Sequence, residues 1–273
     1  MLGLPDGITA TLFDMDGVIT NTATVHDAAW KQTFDDFLKE RAQQTGEPFV
    51  PFDPVRDYDT YVDGKPRLDG TRSFLASRGI TLPDGTPGDP PGTPTIYGIG
   101  NKKNDEFLAK LASDGVQVYD GSVRYLHAVR AAGLHTAIVS SSANTAQVLK
   151  AAGLTDQFDV RVDAQVAQAR HLNGKPAPDT YLYAARELGV EPARAAVFED
   201  ALSGVASGHA GHFGYVVGVD RVGQAQALAE HGASRVVEDL AELLDDDGQG
   251  ASGPGTSGLG ASGPGASGPG GGR

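Results

Sequence analysis

Short apolar runs recur along the chain, and several end in polar residues. Ile8 to Phe13, Thr136 to Ser140, Ala195 to Phe198 and Tyr215 to Val219 are rich in β-branched, aromatic or small apolar residues, with Arg235 to Val237 a weaker run of the same kind. Each has the length of a buried strand. The stretches between them carry helical spacing. In "SVRYLHAVRAAGL", Val123, Leu126 and Val129 share one face and Gly133 supplies a stop; "NTAQVLKAAGL" behaves alike, and "PDTYLYAARELGV" starts after a proline and ends at Gly189. Strands alternating with such helices predict an α/β fold, a Rossmann-like parallel sheet core with helices on both faces. The site of such a fold is expected among polar residues at the carboxyl ends of the strands.

Residues 23–115 break this alternation. Helix-like pieces, Asp27 to Arg41 and Lys102 to Ser113, flank the Pro/Gly-rich "LPDGTPGDPPGTPT", and no strand is predicted. The segment reads as a mostly helical second domain inserted after the first strand, with Leu82 to Thr95 a long loop inside it. The core domain is then discontinuous, 1–22 and 116–244. From 245 to 273 the chain repeats "ASGPG"-like units with almost nothing apolar to bury, and a disordered Gly/Ser/Pro-rich tail is expected there.

Composition narrows the functions. The 273 residues suffice for two domains. Lys and Arg number 22 against 35 Asp and Glu, a formal net charge of −13, so neither a nucleic-acid surface nor an anionic-membrane surface is expected. Any anion must be held locally. There are no cysteines, which excludes disulfides, thiolate nucleophiles and Cys-ligated zinc. The opening residues lack a basic segment followed by an apolar run, and no apolar stretch is long enough to span a bilayer, so a soluble, cytoplasmic protein is expected.

Four strand ends carry candidate chemistry. The first run ends in Asp14-Met15-Asp16-Gly17. This is either a turn with solvated acids or a pair in which one carboxylate acts as nucleophile or metal ligand and the other carries a proton; the remaining ligands and position-six glycine of an EF-hand are missing. The second ends in Ser140-Ser141-Ser142-Ala143-Asn144, a plain N-cap or an anion site at the opening of the next helix. "GKPAPD" presents Lys175 in a stiff turn without the glycine spacing of a Walker loop. The fourth strand end is Phe198-Glu199-Asp200, two acids that suit either a helix start or a hard-oxygen site for Mg²⁺.

In this order, "DMDG", the Ser/Asn-bearing strand end, "GKPAPD" and "FED" resemble the four motifs of the haloacid dehalogenase-type phosphotransferases. A helical cap inserted straight after the first motif resembles the subfamily of the β-phosphoglucomutases, and "DMDGVITNTATVHDAAWK", with Thr22, His26 and Trp30, is similar to that group's opening. The resemblance implies Asp14 as nucleophile, Asp16 as general acid/base, and Ser140 and Lys175 as binders of the transferring phosphate. It also implies a Mg²⁺ site made by Asp14, the Asp16 carbonyl, Glu199 and Asp200. An anionic nucleophile attacking an anionic phosphate needs such positive charge.

The cap segments "VDGKPRLDG" and "NKKND" are similar to those with which the mutases grip the sugar and its second phosphate. This implies substrate contacts by Gly64, Arg67 and Lys103, joined from the core by Ser142 and Asn144. Asp63 stands where the mutase loop usually has lysine, with Lys65 close by, and the Pro/Gly-rich excursion lengthens the cap. The expected activity is a β-phosphoglucomutase-type, Mg²⁺-dependent transfer from β-glucose 1-phosphate to glucose 6-phosphate through an aspartyl-phosphate and a bisphosphate, in a monomer whose partner is a small sugar phosphate. The core motifs equally fit a sugar-phosphate or trehalose-phosphate phosphatase. A non-catalytic sugar-phosphate sensor fits less well, since binding alone needs no nucleophile beside an acid/base.

Overall fold

The computed structural model describes residues 1–244; the tail expected over 245–273 lies outside the described residues. Six strands form one parallel sheet: β1 (Ala10–Phe13), β2 (His135–Val139), β3 (Val160–Val162), β4 (Ala195–Glu199), β5 (Tyr215–Val219) and β6 (Arg235–Val237), in the order β3-β2-β1-β4-β5-β6. Strand alternation sends neighbouring side chains to opposite faces. Phe13, Ile138, Phe198 and Val217 enter one apolar cluster, and Leu12, Val139, Val197 and Val216 enter another.

The helices cover both clusters. The first receives α5 (Asp120–Ala131) through Tyr125, Leu126 and Val129, and α6 (Thr145–Ala151) through Val148 and Leu149. The second receives Tyr181 and Ala184 of α8 (Asp179–Glu187), Val205 of α9 (Leu202–Ala210) and Leu228 of α10 (Ala225–Glu230). The short α7 (Ala164–Arg170) follows β3, a strand too brief to stand out in the sequence. The strand order reverses between β1 and β4, and the carboxyl ends there open a crevice where ligands of such sheets bind.

Between β1 and α5 lie α1 (Ala23–Thr45), α2 (Arg56–Tyr61), α3 (Arg67–Ser77) and α4 (Ile96–Asp114), with no strand. They enclose a separate apolar cluster that includes Trp30, Phe34, Phe52, Phe74, Ile96 and Ile99. The root of α1 and the middle of α4 instead join the sheet's first cluster through Ala29 and Phe107.

Two expectations need correction here. The helix predicted from Lys102 begins at Ile96, because Gly98 and Gly100 are contact points: a β-carbon on Gly98 would stand 2.4 Å from the Thr93 carbonyl oxygen, and one on Gly100 would stand 3.1 Å from Leu68. And "VDGKPRLDG" is a loop only as far as Pro66, since Arg67 opens α3.

The Pro/Gly-rich excursion has no helix or strand, but it is anchored. Thr95 caps α4 by accepting from the Gly98 N–H, and its own hydroxyl donates to Asp89 at 2.7 Å. Asn101 Nδ2 donates to the Pro87 and Asp89 carbonyls, and Arg72 pairs with Asp84 at 3.0 Å.

Candidate active site

Adjacent strands bring distant acids together. Phe13 is in register with Phe198, and the Asp14 N–H continues the ladder to the Phe198 carbonyl at 2.9 Å, so Asp14 and Glu199 leave the sheet side by side. Gly17, at φ +87°, turns the chain away at once. A β-carbon there would fall 1.6 Å from Asp200 Oδ2, so only glycine lets the Asp200 carboxylate come this close. Asp14, Glu199 and Asp200 each place one carboxylate oxygen within 4.8 Å of the others.

Lys175 lies beneath this group, 4% exposed. Its ammonium bonds Asp14 Oδ1, Glu199 Oε1 at 2.6 Å and the Val139 carbonyl at 3.2 Å. Burial opposes its charge, but Asp14 and Glu199 outweigh that and hold it protonated. The Tyr181 hydroxyl donates to Glu199 Oε1 at 2.6 Å, while Glu199 Oε2 is buried with no hydrogen-bond partner. Burial pushes Asp14 well above the usual carboxylate range; Lys175 pulls it back, and Glu199 and Asp16 push it up further. Asp200 is pushed up by burial, then by Asp63, Asp14 and Glu199. Three hard-oxygen groups beside one lysine, with a buried carboxylate oxygen unpartnered, fit a divalent cation.

The Asp16 carboxylate is not one of that group of three. Thr22 Oγ1 donates to Asp16 Oδ1, Thr20 supports Thr22 across 2.6 Å, and His26 Nε2 lies 3.6 Å from the same Oδ1. Burial raises Asp16 above an ordinary aspartate, partly offset by the Thr22 bond and by Lys103 and Lys175. A carboxyl so placed holds a proton more readily, as a general acid must.

The helical segment supplies the opposite wall. His26 stacks on Phe107 at 4.1 Å, and its Nδ1 meets the Lys103 ammonium. Lys103 also lies 5.1 Å over the Trp30 ring. Burial and the Arg67 charge push Lys103 down to about 7, against the pull of Asp16. Burial, Lys103 and Arg67 together hold His26 neutral. Arg67 Nη1 donates to Asn104 Oδ1 at 2.6 Å, and the same oxygen accepts from Asn144 Nδ2 at 2.9 Å. Arg67 Nε is buried and unpartnered.

A pocket of about 70 Å³ thus has Asp14, Asp16, Glu199 and Asp200 on one side and His26, Trp30, Gly64, Arg67 and Lys103 on the other, with Ser142 and Asn144 at the join. Three expected residues stand behind the wall. Thr22 holds Asp16, Lys175 holds Asp14, and Ser140 Oγ accepts from the Ser142 N–H at 3.1 Å. Lys65 lines the pocket, but its ammonium donates to the Thr60 and Tyr61 carbonyls and to Ser73, and so is engaged within the helical segment.

Sequence reasoning missed Asn104, Tyr181, Ser141 and Ser203. Ser141 Oγ donates to the Gly64 carbonyl at 2.8 Å and Ser203 Oγ to the Asp63 carbonyl at 3.3 Å. Ser141 and Asn104 lay inside stretches already singled out, which was the available signal; Tyr181 lay in a stretch read only as a helix, and nothing marked Ser203.

Residues 8–212 match the family model of the haloacid dehalogenase-like hydrolases. The chain belongs to that family. A β-phosphoglucomutase of Mycobacterium tuberculosis is 59% identical over 247 residues, 89% of this chain and 94% of its own. One of Bacillus subtilis is 31% identical, over 86% of this chain and 91% of its own. The crystal structure of β-phosphoglucomutase from Clostridium difficile has the same fold at a TM-score of 0.68 and 24% identity, covering 86% of this chain and 93% of that one. As a haloacid dehalogenase-like protein with such relatives, the chain is a phosphotransfer enzyme. Among the described residues no helix is long and apolar enough to cross a membrane.

Proposed function

We propose that the chain is a β-phosphoglucomutase, converting β-glucose 1-phosphate into glucose 6-phosphate. The observation that carries this reading is the pairing of the core acids Asp14 and Asp16 with a cap wall of His26, Arg67 and Lys103 around one pocket. The strong likeness to a mycobacterial protein of that name supports it. Residues 23–115 act as the cap and 1–22 with 116–244 as the catalytic core; the separate apolar cluster of the helical segment supports that division.

Asp14 carries the phosphoryl group as an aspartyl-phosphate. The sugar's C6 hydroxyl attacks phosphorus, its proton passes to Asp16, and the bond to Asp14 breaks. The resulting bisphosphate turns over in the site. Asp14 then attacks the C1 phosphate, the bond from phosphorus to the C1 oxygen breaks, and Asp16 returns its proton to that oxygen. Lys175 and Ser140 hold the phosphate being transferred. Arg67, Ser142 and Asn144 hold the other phosphate, with Gly64, Trp30 and Lys103 around the sugar and Thr22 and His26 setting the proton on Asp16. Asp14, Glu199, Asp200 and the Asp16 carbonyl would hold Mg²⁺, which supplies positive charge at the transferring phosphate. The cap opens to admit substrate and closes to exclude water.

The reading extends to a monomeric, cytoplasmic enzyme whose partner is a small sugar phosphate, with neither nucleic acid nor membrane; the net charge of −13 supports the exclusion of polyanions. The test is a coupled assay for glucose 6-phosphate with Mg²⁺, comparing the enzyme with Asp14→Asn. Turnover that is lost in a variant with unchanged circular dichroism is expected. Glucose 6-phosphate production surviving in Asp14→Asn would contradict the assigned nucleophile.

A further inference from the structure

Beside the catalytic pocket lies a larger crevice of about 510 Å³, within the roughly 300–1,000 Å³ range of small-molecule sites. The two cavities share Arg67, Ser141 and Ala143, so the crevice adjoins the pocket. Its far wall includes Pro87 of the Pro/Gly-rich excursion, which the phosphoryl-transfer machinery does not use. Asn101 fixes that wall by donating to the Pro87 carbonyl.

The polar lining is mostly uncharged: Tyr97, Asn101, Gln165, Gln168, Asn173 and Thr180. Thr180 is 7% exposed and its hydroxyl, on the crevice wall, has no hydrogen-bond partner. The Gln168 side chain and the Tyr97 hydroxyl likewise show none among the described residues. Of the charged members, Arg72 pairs with Asp69 at 3.1 Å, and Arg67 stands where the crevice meets the catalytic pocket. Amides and hydroxyls both donate and accept, as sugar hydroxyls do, and Pro66, Leu68 and Leu172 offer apolar faces for ring C–H groups. Arg67, at the join with the catalytic pocket, is the one cation of the lining without an acidic salt-bridge partner among the described residues; away from it, the Thr180 and Tyr97 hydroxyls and the Gln168 amide are open to an uncharged polyhydroxylated ligand.

We propose that this crevice is a carbohydrate subsite, filled either by the second ring of a phosphorylated disaccharide whose phosphate occupies the catalytic pocket, or by a free saccharide. The proposal rests on the phosphomutase reading only in assigning a phosphate to the neighbouring pocket.

Isothermal titration of the Mg²⁺-loaded protein with trehalose 6-phosphate, trehalose and glucose 6-phosphate separates the two sources. Gln168→Trp fills the crevice from an exposed position of α7, and Tyr97→Phe removes one hydroxyl should the first variant misfold. A second ring in the crevice makes trehalose 6-phosphate bind at least tenfold tighter than glucose 6-phosphate, and Gln168→Trp abolishes that advantage. A free-saccharide site binds trehalose, with the binding lost in Gln168→Trp. The proposal is overturned if trehalose does not bind and its phosphate binds no better than glucose 6-phosphate, or if both variants leave every affinity unchanged. Trehalose binding that is sensitive to Gln168→Trp, in a protein that ignores all phosphates, would keep the subsite and remove the phosphomutase reading.

Discussion

Ser141 Oγ donates a 2.8 Å hydrogen bond to the Gly64 carbonyl, tying the strand end after β2 to the loop before α3. Ser203, after β4, does the same for the Asp63 carbonyl at 3.3 Å. Two core serines thus hold consecutive carbonyls of the cap loop, and Gly64, at φ +69°, allows the approach: a β-carbon there would stand 2.1 Å from Ser203 Oγ. Each bond contributes about 1 kcal/mol. Removing both in Ser141→Ala/Ser203→Ala should favour the open cap by roughly thirtyfold, the equivalent of about 2 kcal/mol. Release of inorganic phosphate relative to glucose 6-phosphate should rise by a similar factor, and an unchanged ratio would show that these bonds do not govern water exclusion. Gly64→Ala should lower kcat further, because it strains the loop as well as the contact.

Lys103 gives a pH dependence with a definite sign. In the ligand-free fold it loses its proton near pH 7, whereas an ordinary lysine keeps it to 10.5. Between those values the unfolded chain binds more protons, so this residue's contribution makes stability rise with pH across the window. The Tm deficit of the wild type relative to Lys103→Met should therefore shrink from pH 7 to pH 9.5. A bound phosphate restores the charge, so sugar-phosphate binding near pH 8 should take up about one proton, measured by calorimetry in buffers of different ionisation enthalpy. Lys103→Met should show no such uptake.

The acids around the Asp14, Glu199 and Asp200 cluster carry the opposite sign. Burial, then Glu199 and Asp59, push Asp63 up to about 7, with Lys175 pulling back. Because the unfolded group ionises near 3.8, the folded chain holds the extra proton, and stability from this group is lost as pH rises from about 3.8 through about 7. Asp63→Asn should raise the Tm of the metal-free protein at pH 8 by several degrees while leaving its Tm at pH 3.5 nearly unchanged. Mg²⁺ should raise the wild-type Tm at pH 8. It should do so far less in Asp200→Asn, and an equal response in that variant would remove Asp200 from the ligand set.

Arg67 and Asn144 meet on one oxygen of Asn104. A lysine at position 67 cannot both bond Asn104 and present a second planar donor like the unpartnered Nε. Arg67→Lys should raise KM by about tenfold with a smaller fall in kcat, costing about 1.4 kcal/mol of ground-state binding. Asn104→Ala, which only positions the other two, should raise KM less and retain the wild-type pH profile. Steady-state kinetics of both variants checks the order.

The parts of the site that were legible in the sequence are those encoded locally. Asp14 and Asp16 follow an apolar run, Lys175 sits in its own stiff turn, and Glu199-Asp200 close another run, so each motif carried its strand end with it. Contacts between remote segments left no trace: Asn104 to Asn144 spans 40 residues, Ser141 to Gly64 spans 77 and Ser203 to Asp63 spans 140. The opening of α4 was hidden because Gly98 and Gly100, poor helix formers in isolation, are selected there by close packing against Thr93 and Leu68. The engagement of Lys65 was hidden for a related reason, since three acceptors of the helical segment, Thr60, Tyr61 and Ser73, hold its ammonium.

The measurement closest to the central claim is ³¹P NMR of the protein with Mg²⁺ and β-glucose 1-phosphate, primed by a trace of glucose 1,6-bisphosphate. Conversion of the glucose 1-phosphate signal into glucose 6-phosphate, with little inorganic phosphate, is the expected result. Release of inorganic phosphate without glucose 6-phosphate would contradict it and make the enzyme a phosphatase of the same family.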